Sequence, residues 1–350
     1  MTFSFATSEA AREIIALMEA EAAPGDLSLL YTRRDDPLAS MLSESSQSVI
    51  GIMRDDEGAV AAMVAIIPMM MYIGGELKNV CYITSMKKSP SYTKNVNWIR
   101  VFSAMDATGD YDAYFCSFVE ENDPVQQMFI KRRSHIPYSI PLCKYETFIY
   151  APYVRVKDPC PELTLVRCSE KDAGDALQFI SERQKHKDLA AGEINGLLPE
   201  DLYCLKKDGR IVAAAALWDR REVKQYYLKE CKGKMRFLRA LNPLFSMLGY
   251  VKIPPDDTLL KFAFISFLEA EDDSPELMTS LFCRLKEEAR KSFDIIVIGA
   301  SHNSPKYSFC KKIRHISFTT VINEIVMNGV NDKPSAGING ENIDLECALL

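Results

Sequence analysis

The sequence has 350 residues, of which 47% are apolar and 26% are charged, the balance of a globular protein. This length favours two domains of about 150 residues each over a single core. A net charge of −6 and a pI near 5.5 argue against a nucleic-acid-binding surface, so we expect no nucleic-acid partner.

The cysteines and histidines give no sign of a metal site or a disulfide framework. Ten cysteines are scattered singly without a CxxC, and the four histidines are equally dispersed. We therefore expect no metal and reduced thiols in a cytoplasmic protein. Glu9, Arg12 and Glu13 stand where a signal peptide needs an apolar core. The apolar run at 60–73 is too short to span a bilayer, so no membrane insertion is predicted.

The first half reads as a helix, two hairpins and then alternating helices and strands. Apolar spacing predicts a helix over 8–22, hairpins over 49–67 and 68–86, and a helix over 94–108. A buried strand at 111–119, a helix at 123–133 and a closing strand at 143–151 follow. Each half is expected to form its own sheet.

The second half repeats this order. Helices are predicted at 170–186, 275–291 and 305–312, and strands at 201–206, 210–218, 222–228, 259–268, 294–298 and 318–327. An insertion at 231–255 carries an amphipathic helix expected to cover one sheet face. The tail at 331–350 is rich in Gly and Asn and then acidic, and is predicted to be flexible.

An internal repeat is clearest late in each half. Asn122-Asp123-Pro124 and Asn303-Ser304-Pro305 each follow a buried strand and open a helix. The predicted units are an N-terminal domain at 1–152, a C-terminal domain at 162–330 and the tail.

This order of elements resembles the GNAT superfamily of N-acetyltransferases, in two tandem copies that together cover nearly the whole chain. The run YITSMKKSPSY at 82–92 looks like the family's fourth strand entering its pyrophosphate loop. The run FVEENDPVQQMFIKR at 118–132 looks like its fifth strand and Asn-led helix. The stretch ALWDRREVKQ at 216–225 is similar to bacterial tandem members of unassigned substrate.

The resemblance implies an α/β fold class, with each domain a mixed, mostly antiparallel twisted sheet flanked by helices. It also implies acetyl-CoA or another acyl-CoA as cofactor, bound by the N-terminal domain. The cofactor-binding residues that it implies are Thr84, Met86, Thr93, Lys94, Asn95, Val96, Asn97 and Asn122.

The family's pyrophosphate motif, R/Q-x-x-G-x-G/A, is altered here. Aligned on Pro90 and Tyr92, its basic position falls at Thr93 and its glycines at Val96 and Trp98. A register shifted by one places Lys94 and Asn97 there. In the second half, residues 273–278 lack both glycine and base and are acidic, so no CoA site is expected in that domain.

Candidate catalytic groups are Glu120, Glu121 and Tyr138. Either glutamate, at the end of the fifth strand, could act through water as general base. The family's acid tyrosine falls at Phe129, so Tyr138 or Tyr145 would have to substitute. Tyr82, Thr84 and Ser85 could line the acceptor pocket or be ordinary strand residues.

Three functions fit these features. The first is an acyl-CoA-dependent N-acyltransferase acting on a small-molecule or peptide amine. The second is a non-catalytic GNAT-like binding or scaffold protein that has lost the pyrophosphate loop. The third, a peptidoglycan-type aminoacyl transferase, would have to hold tRNA, which the net charge disfavours. The final residues, from Cys347 to Leu350, also match a prenylation box, although acidic residues precede them.

Overall fold

A computed structural model describes residues 1–22, 27–119, 129, 137–327 and 337–350. Its strands are β1 (Thr2–Phe5), β2 (Leu27–Thr32), β3 (Val49–Arg54), β4 (Val60–Ile73), β5 (Glu76–Lys88), β6 (Ala113–Val119), β7 (Tyr138–Tyr150), β8 (Thr164–Arg167), β9 (Leu202–Lys207), β10 (Arg210–Trp218), β11 (Gln225–Cys231), β12 (Thr258–Leu259), β13 (Phe262–Ala270), β14 (Ile295–Ser301) and β15 (Ile316–Val326). Its helices are α1 (Ala11–Glu19), α2 (Pro37–Leu42), α3 (Trp98–Asp106), α4 (Glu170–Gln184), α5 (Gly233–Ala240), α6 (Asn242–Met247), α7 (Pro275–Ala289) and α8 (Pro305–Lys312).

Several helices begin where the sequence places a short polar cap before a proline. Asp36 caps α2, and its carboxylate accepts hydrogen bonds from the backbone N–H groups of Leu38 and Ala39. Ser274 and Ser304 cap α7 and α8 in the same way. A proline follows each cap, and its fixed φ suits the first helical position, where no N–H partner is needed.

Twelve strands form one continuous sheet, in the order β1-β3-β4-β5-β6-β15-β7-β14-β13-β10-β9-β8, and β12-β11-β2 form a small second sheet. Within the large sheet the pairs β5–β6 and β13–β14 are parallel, and the other pairs are antiparallel. The predicted α/β class with mixed, mostly antiparallel strands is confirmed. Within the described residues, no helix is long and apolar enough to cross a membrane.

The last strand of each half does not close its own half, which corrects the expectation of two separate sheets. β7 pairs with β14 of the second half, from Tyr150 opposite Ile296 to Tyr145 opposite Ser301. β15 pairs with β6 of the first half and with β7. The closing strands are therefore exchanged, and they join the two halves edge to edge.

The parallel strand pair occurs twice with the same local geometry. Residues 80–82 of β5 pair with 113–115 of β6, and 262–264 of β13 pair with 295–297 of β14. Three residues beyond each paired stretch the strand has a positive φ, 52° at Ser85 and 55° at Phe267. Both lie at a register shift against the neighbouring antiparallel strand. Each positive φ therefore marks a β-bulge at the equivalent point of the two halves.

The tail predicted to be flexible is instead buried wherever it is described. Residues 331–336 lie outside the described residues, but Ile343, Leu345 and Ala348 are at most 1% exposed. They pack in the largest hydrophobic cluster. Cys347 of the suggested prenylation box is also buried, and burial raises the pKa of its thiol. A buried, protonated thiol does not suit lipid attachment.

The insertion after β11 differs from its prediction too. It forms α5 and α6, and α5 packs beside β11 of the small sheet. Phe237, Met247 and Leu248 were expected to cover a sheet face, but they are largely exposed.

Candidate functional site

The candidate site is a wedge between two diverging parallel strands of the first half. Among the described residues, ladder pairs join β5 to β6 only at 80–82 and 113–115. Beyond them β5 continues to Lys88 and β6 to Val119, while β6 remains paired with β15 on its other side. We call the opening between 83–88 and 116–119 the first wedge. Diverging strands expose backbone groups that a ligand can pair.

The bulge at Ser85 lies on the β5 side of the first wedge. Its positive φ is unusual for a residue other than glycine, and such backbone strain tends to collect at functional sites. The Ser85 hydroxyl is buried and has no hydrogen-bond partner among the described residues. A buried, unpaired hydroxyl is costly, so a bound group would find a donor or acceptor here.

Tyr82 and Ser117 bridge the two strands at the closed end of the first wedge. Their hydroxyl oxygens lie 3.1 Å apart. The Tyr82 ring stacks on Phe115 with the centroids 4.9 Å apart. Burial raises the pKa of Tyr82 to about 12, so its phenol is protonated at neutral pH and acts as a hydrogen-bonding group.

The N-terminus of α3 follows β5 after a short loop. Asn97 caps the helix, and its side-chain oxygen accepts from the Arg100 N–H at 3.2 Å. Val96 and Trp98, at the family's glycine positions, pack against the core beneath α3. Lys94 is exposed and its ammonium lies 3.3 Å from the Asp56 carboxylate.

The surroundings of this helix end carry charges of both signs, since Asp55 and Asp56 lie near Lys94. Lys88, Lys94 and Arg100 are all exposed around it. Helix N-termini carry partial positive charge and free N–H groups, which suit phosphate. The start of α3 therefore has the features of a helix N-terminus, while the loop before it lacks the glycines of the family motif.

The second half has an equivalent opening between 265–270 of β13 and 298–301 of β14, the second wedge. Residues of the chain itself occupy it. The Phe267 N–H donates to the Glu346 carboxylate at 2.8 Å, and the Ser301 hydroxyl donates to the Ile343 carbonyl at 2.7 Å. The tail segment thus accepts the hydrogen bond from the N–H at the bulge, which would otherwise be available to a ligand.

Four buried charged residues and the half-buried Lys187 hold that segment in place, and we call these five the tail cluster. The Lys306 ammonium lies 2.9 Å from Asp344 and 3.3 Å from Glu346. The Lys187 ammonium lies 2.7 Å from Glu269 and 3.2 Å from Asp344. Three carboxylates share two ammonium groups, and burial raises the pKa of Glu269 to about 7.

A second buried charge cluster lies between the halves. The Glu44 carboxylate is 2.6 Å from Arg33, 2.7 Å from Arg220 and 3.0 Å from Lys224. Burial opposes ionisation of Glu44, but these three cations outweigh it and hold its pKa at about 2. Burial lowers the pKa of Lys224 to about 7. Lys224 also donates to the carbonyls of Ala348 and Leu350, which ties this cluster to the tail.

The structure brings some of the predicted site residues together and separates others. Thr84 and Met86 flank the bulge on β5, and residues 93–97 form the exposed loop before α3. Glu120, Glu121 and Asn122 lie outside the described residues. Tyr138 on β7 pairs with Val326 on β15. Two residues earlier on β15, Glu324 pairs with Phe115 on β6. Tyr138 therefore lies level with the closed end of the first wedge and two strands away from β6.

Sequence reasoning missed Ser117, the tail cluster and the charged partners of Lys224. Ser117 is an ordinary residue within a strand pattern, and only the wedge gives it a role. Lys306 and Glu346 are 40 positions apart, and Glu44 and Lys224 are farther apart still. The available signal was the set of single charged residues inside otherwise apolar or alternating runs, such as Glu269 within β13. Among the described residues, no group of three or more His, Cys, Asp or Glu side chains is placed to hold a metal ion.

Two of the solved structures with a similar fold share little sequence with this chain. The chain matches a GCN5-related glucosamine N-acetyltransferase region of a fungal multi-domain GH3 beta-N-acetylglucosaminidase, with TM-score 0.60 and 12% identity over 93% of this chain. It spans only 38% of that protein. It also matches Saccharomyces cerevisiae N-myristoyltransferase with bound myristoyl-CoA, with TM-score 0.56 and 10% identity over 98% of this chain and 89% of the other.

No protein-family model and no curated protein matches the sequence. The first of these structures is described as GCN5-related, so the GNAT resemblance read from the sequence is confirmed at the level of fold. At identities this low the likeness concerns the fold alone.

Proposed function

We propose that the chain is an acyl-CoA-dependent N-acyltransferase that binds its donor in the first wedge and acts on an amine. One observation carries the proposal. The fold contains two equivalent wedges, and among the described residues only the second is occupied by the chain's own tail. The fold likeness to proteins named as acetyl- and myristoyltransferases supports the same reading.

The charges around the two wedges differ in sign. Lys87 on β5 corresponds to Glu269 on β13 when the bulges are aligned. Lys88, Lys94 and Arg100 lie near the start of α3, where Asp56 pairs with Lys94. Glu271, Asp272, Asp273 and Glu276 lie near the start of α7, where Arg210 pairs with Glu271 and Lys187 lies 3.9 Å from Asp273. A pyrophosphate is attracted to the first arrangement and repelled by the second. The donor therefore belongs in the first half.

The residues of the first wedge fit the parts of such a donor. The diverging backbone of β5 and β6 would pair with the amides of pantetheine, and the α3 N-terminus with Lys94 and Asn97 would face the pyrophosphate. Ser85, with its unpaired hydroxyl, would orient the acyl end. Acyl-CoA supplies the acyl group as a reactive thioester.

When the acceptor nitrogen bonds to the thioester carbonyl carbon, the carbon–sulfur bond breaks and CoA leaves as a thiolate, which takes a proton from solvent. The acceptor amine loses one proton in the same reaction. Glu120 and Glu121, directly after β6, are the groups that we propose to accept it, either one through a water molecule. Tyr138 lies on β7, two strands away from β6, and we propose the glutamates rather than Tyr138 as the groups that act in the reaction.

Donor binding is tested first, by following thermal unfolding during titration with acetyl-CoA, a long-chain acyl-CoA and CoA, with adenosine diphosphate as control. A ligand at about a hundred times its Kd adds about 2.7 kcal/mol. For 350 residues the unfolding entropy is about 0.7 kcal/mol/K, which gives a shift of about 4 °C.

A pair of matched variants locates the binding site. Asn97→Glu places a negative charge at the α3 N-terminus and should abolish the shift. Ser274→Glu makes the same change at the equivalent cap of α7 and should leave the shift intact. If CoA up to millimolar concentration gives no shift in the wild type, the alternative of a non-catalytic scaffold replaces the proposal.

Acyl transfer is tested separately by thiol release from acyl-CoA in the presence of a panel of small amines and peptides. Glu120→Gln or Glu121→Gln should lower kcat, by about 10²–10⁴-fold if that residue is the base, without weakening CoA binding. Tyr138→Phe should leave kcat within about twofold. Wild-type activity in both glutamate variants would refute the assigned base.

A further inference from the structure

The insertion between β11 and β12 carries an unusual amount of exposed apolar surface. Met247 and Phe237 are 75% and 68% exposed, the highest values among the large apolar side chains in the described part of the chain. Leu248 is 53% exposed and Tyr250 is 37% exposed. A single exposed apolar residue needs no explanation, but several on one short segment indicate a binding surface.

The inner side of the same segment is firmly packed. The Asn242 side chain is buried, donates to the Ile253 carbonyl at 2.6 Å and accepts from the Ile253 N–H at 3.1 Å. Val251 and Ile253 are also buried, and Met235 packs against the small hydrophobic cluster that contains Ile253. The insertion is therefore held through its inner side, and its exposed apolar side chains are not needed for that packing.

The exposed side chains share one side of the insertion. The Leu241 N–H donates to the Phe237 carbonyl at 3.3 Å, and the Phe245 N–H donates to the Leu241 carbonyl at 3.1 Å, so helical hydrogen bonding continues from α5 into α6. Helical spacing then places Phe237, Met247 and Leu248 within an arc of about 100°. Asn242, which is buried, falls on the opposite side. We call the side that bears Phe237, Met247 and Leu248 the exposed apolar face.

The charge around the exposed apolar face is positive. Residues 229–257 include six Lys or Arg and three Asp or Glu, a net charge of +3 in a chain of net charge −6. Each of the three carboxylates pairs with a cation of the same segment: Glu230 with Lys232, Asp256 with Arg239 and Asp257 with Lys229.

The remaining cations lie beside the apolar side chains. Arg236 directly precedes Phe237 and is exposed, and Lys252 is exposed two residues after Tyr250. From outside the insertion, the Arg314 guanidinium lies 4.8 Å from the centre of the Tyr250 ring. An anionic surface would therefore be attracted to the part of the chain that presents the exposed apolar face.

We propose that the exposed apolar face adsorbs to an anionic lipid bilayer, with Phe237, Met247 and Leu248 entering the boundary between headgroups and acyl chains. Helices that lie on membranes combine such a face with Lys and Arg, which are attracted to anionic headgroups. Interfaces between proteins are instead depleted in Lys. This adsorption involves no spanning segment, and it does not depend on the proposed acyl transfer.

The test is flotation of the full chain with lipid vesicles. One set consists of phosphatidylcholine alone, and the other also contains phosphatidylglycerol, which is anionic. The partition coefficient should be at least about tenfold higher for the anionic vesicles. High salt should reduce this difference, because it screens the attraction between the cations and the headgroups.

One pair of variants tests the apolar contribution. Phe237→Ser combined with Met247→Ser should lower the partition coefficient on anionic vesicles at least about tenfold, because less apolar surface leaves water on binding. Leu198→Ser is the matched control, since Leu198 is as exposed as Leu248 but lies before β9. The control should bind like the wild type, and all these variants should keep the wild-type melting temperature.

A second pair tests the charge. Arg236→Gln should lower the partition coefficient on anionic vesicles about fivefold and leave binding to neutral vesicles unchanged. Lys171→Gln, which removes an exposed cation from α4, should change neither.

Several results would overturn the proposal. Absence of flotation with either vesicle, or equal partitioning into both, would show that no anionic bilayer is recognised. Wild-type partitioning of the variant that combines Phe237→Ser and Met247→Ser would place the contact elsewhere. Sedimentation without lipid tests another occupant: a wild-type dimer that dissociates in this variant would assign the face to a second copy of the chain.

Discussion

Replacing Lys306 with methionine tests how the tail segment is held. The substitution keeps most of the buried stem but removes the charge that faces Asp344 and Glu346 at 2.9 and 3.3 Å. The tail cluster would then contain three carboxylates and only Lys187. Breaking a buried ion pair by removing one partner costs about 3–5 kcal/mol. At an unfolding entropy of about 0.7 kcal/mol/K for 350 residues, the Tm should fall by about 4–7 °C.

The sign of the pH dependence gives a second readout. Without Lys306 the carboxylates of the tail cluster have higher pKa values in the folded state than in the unfolded chain. The folded variant therefore binds more protons, and its stability rises as the pH falls. The difference between variant and wild type should shrink from pH 7.5 to pH 5 in calorimetric or fluorescence unfolding.

A control on the same helix separates charge loss from helix effects. Lys312 on α8 is exposed, and Lys312→Met should change stability by less than about 0.5 kcal/mol. Adding Glu346→Gln to Lys306→Met should recover part of the loss, because it removes excess negative charge. The reasoning is refuted if Lys306→Met is no more destabilising than Lys312→Met, or if the deficit is the same at both pH values.

Three further predictions concern glycines and the cluster around Glu44. Gly299→Ala should destabilise by several kcal/mol, since its Cβ would lie 1.8 Å from the Tyr145 hydroxyl. Gly174→Ala, in open space on α4, should instead stabilise by about 0.5–1 kcal/mol. The free energies of unfolding of both variants in urea test this contrast. Glu44, with its pKa depressed to about 2, should contribute stability above its ordinary pKa that is lost as the pH falls towards 2, and acid unfolding of Glu44→Gln should lack that part of the transition. Lys224, with its pKa lowered to about 7, should make the wild type more stable as the pH rises from 7 towards 10.5, and an equal gain in Lys224→Met would contradict the assignment.

The order of helices and strands was largely predictable from the sequence. Apolar runs and helical spacing located most strands of the large sheet, and α8 falls on its predicted bounds. Short elements were missed: β1, β2, β8 and α2 have few residues and weak periodicity. The strand β4 passes through Pro68, where the sequence indicated a break. Pro68 stays within the strand opposite Cys81, and the residues before and after it also pair with β5. This pairing overrides the tendency of proline to end a strand.

The exchange of closing strands could not be predicted, because each strand would suit either half. β7 and β15 have the same alternating character, and their partners are set by packing between the halves. The fate of the tail was misread for a related reason. In the sequence, Asp344 and Glu346 look like solvated charges. Only the fold shows that they form buried ion pairs with Lys306 and Lys187. The proposed division at 152 and 162 remains a prediction.

The exchanged strands have a consequence for how the chain folds during synthesis. β6 acquires its neighbour β15 only when residues 316–326 have been made, about 200 residues after β6 itself. Because translation adds about 5–20 residues per second, β6 stays an unpaired edge strand on the nascent chain for roughly 10–40 s. During that interval its backbone groups can pair with another nascent chain. We therefore expect truncated forms that lack β15 to aggregate, and slower translation before residue 316 to lower the yield of folded protein.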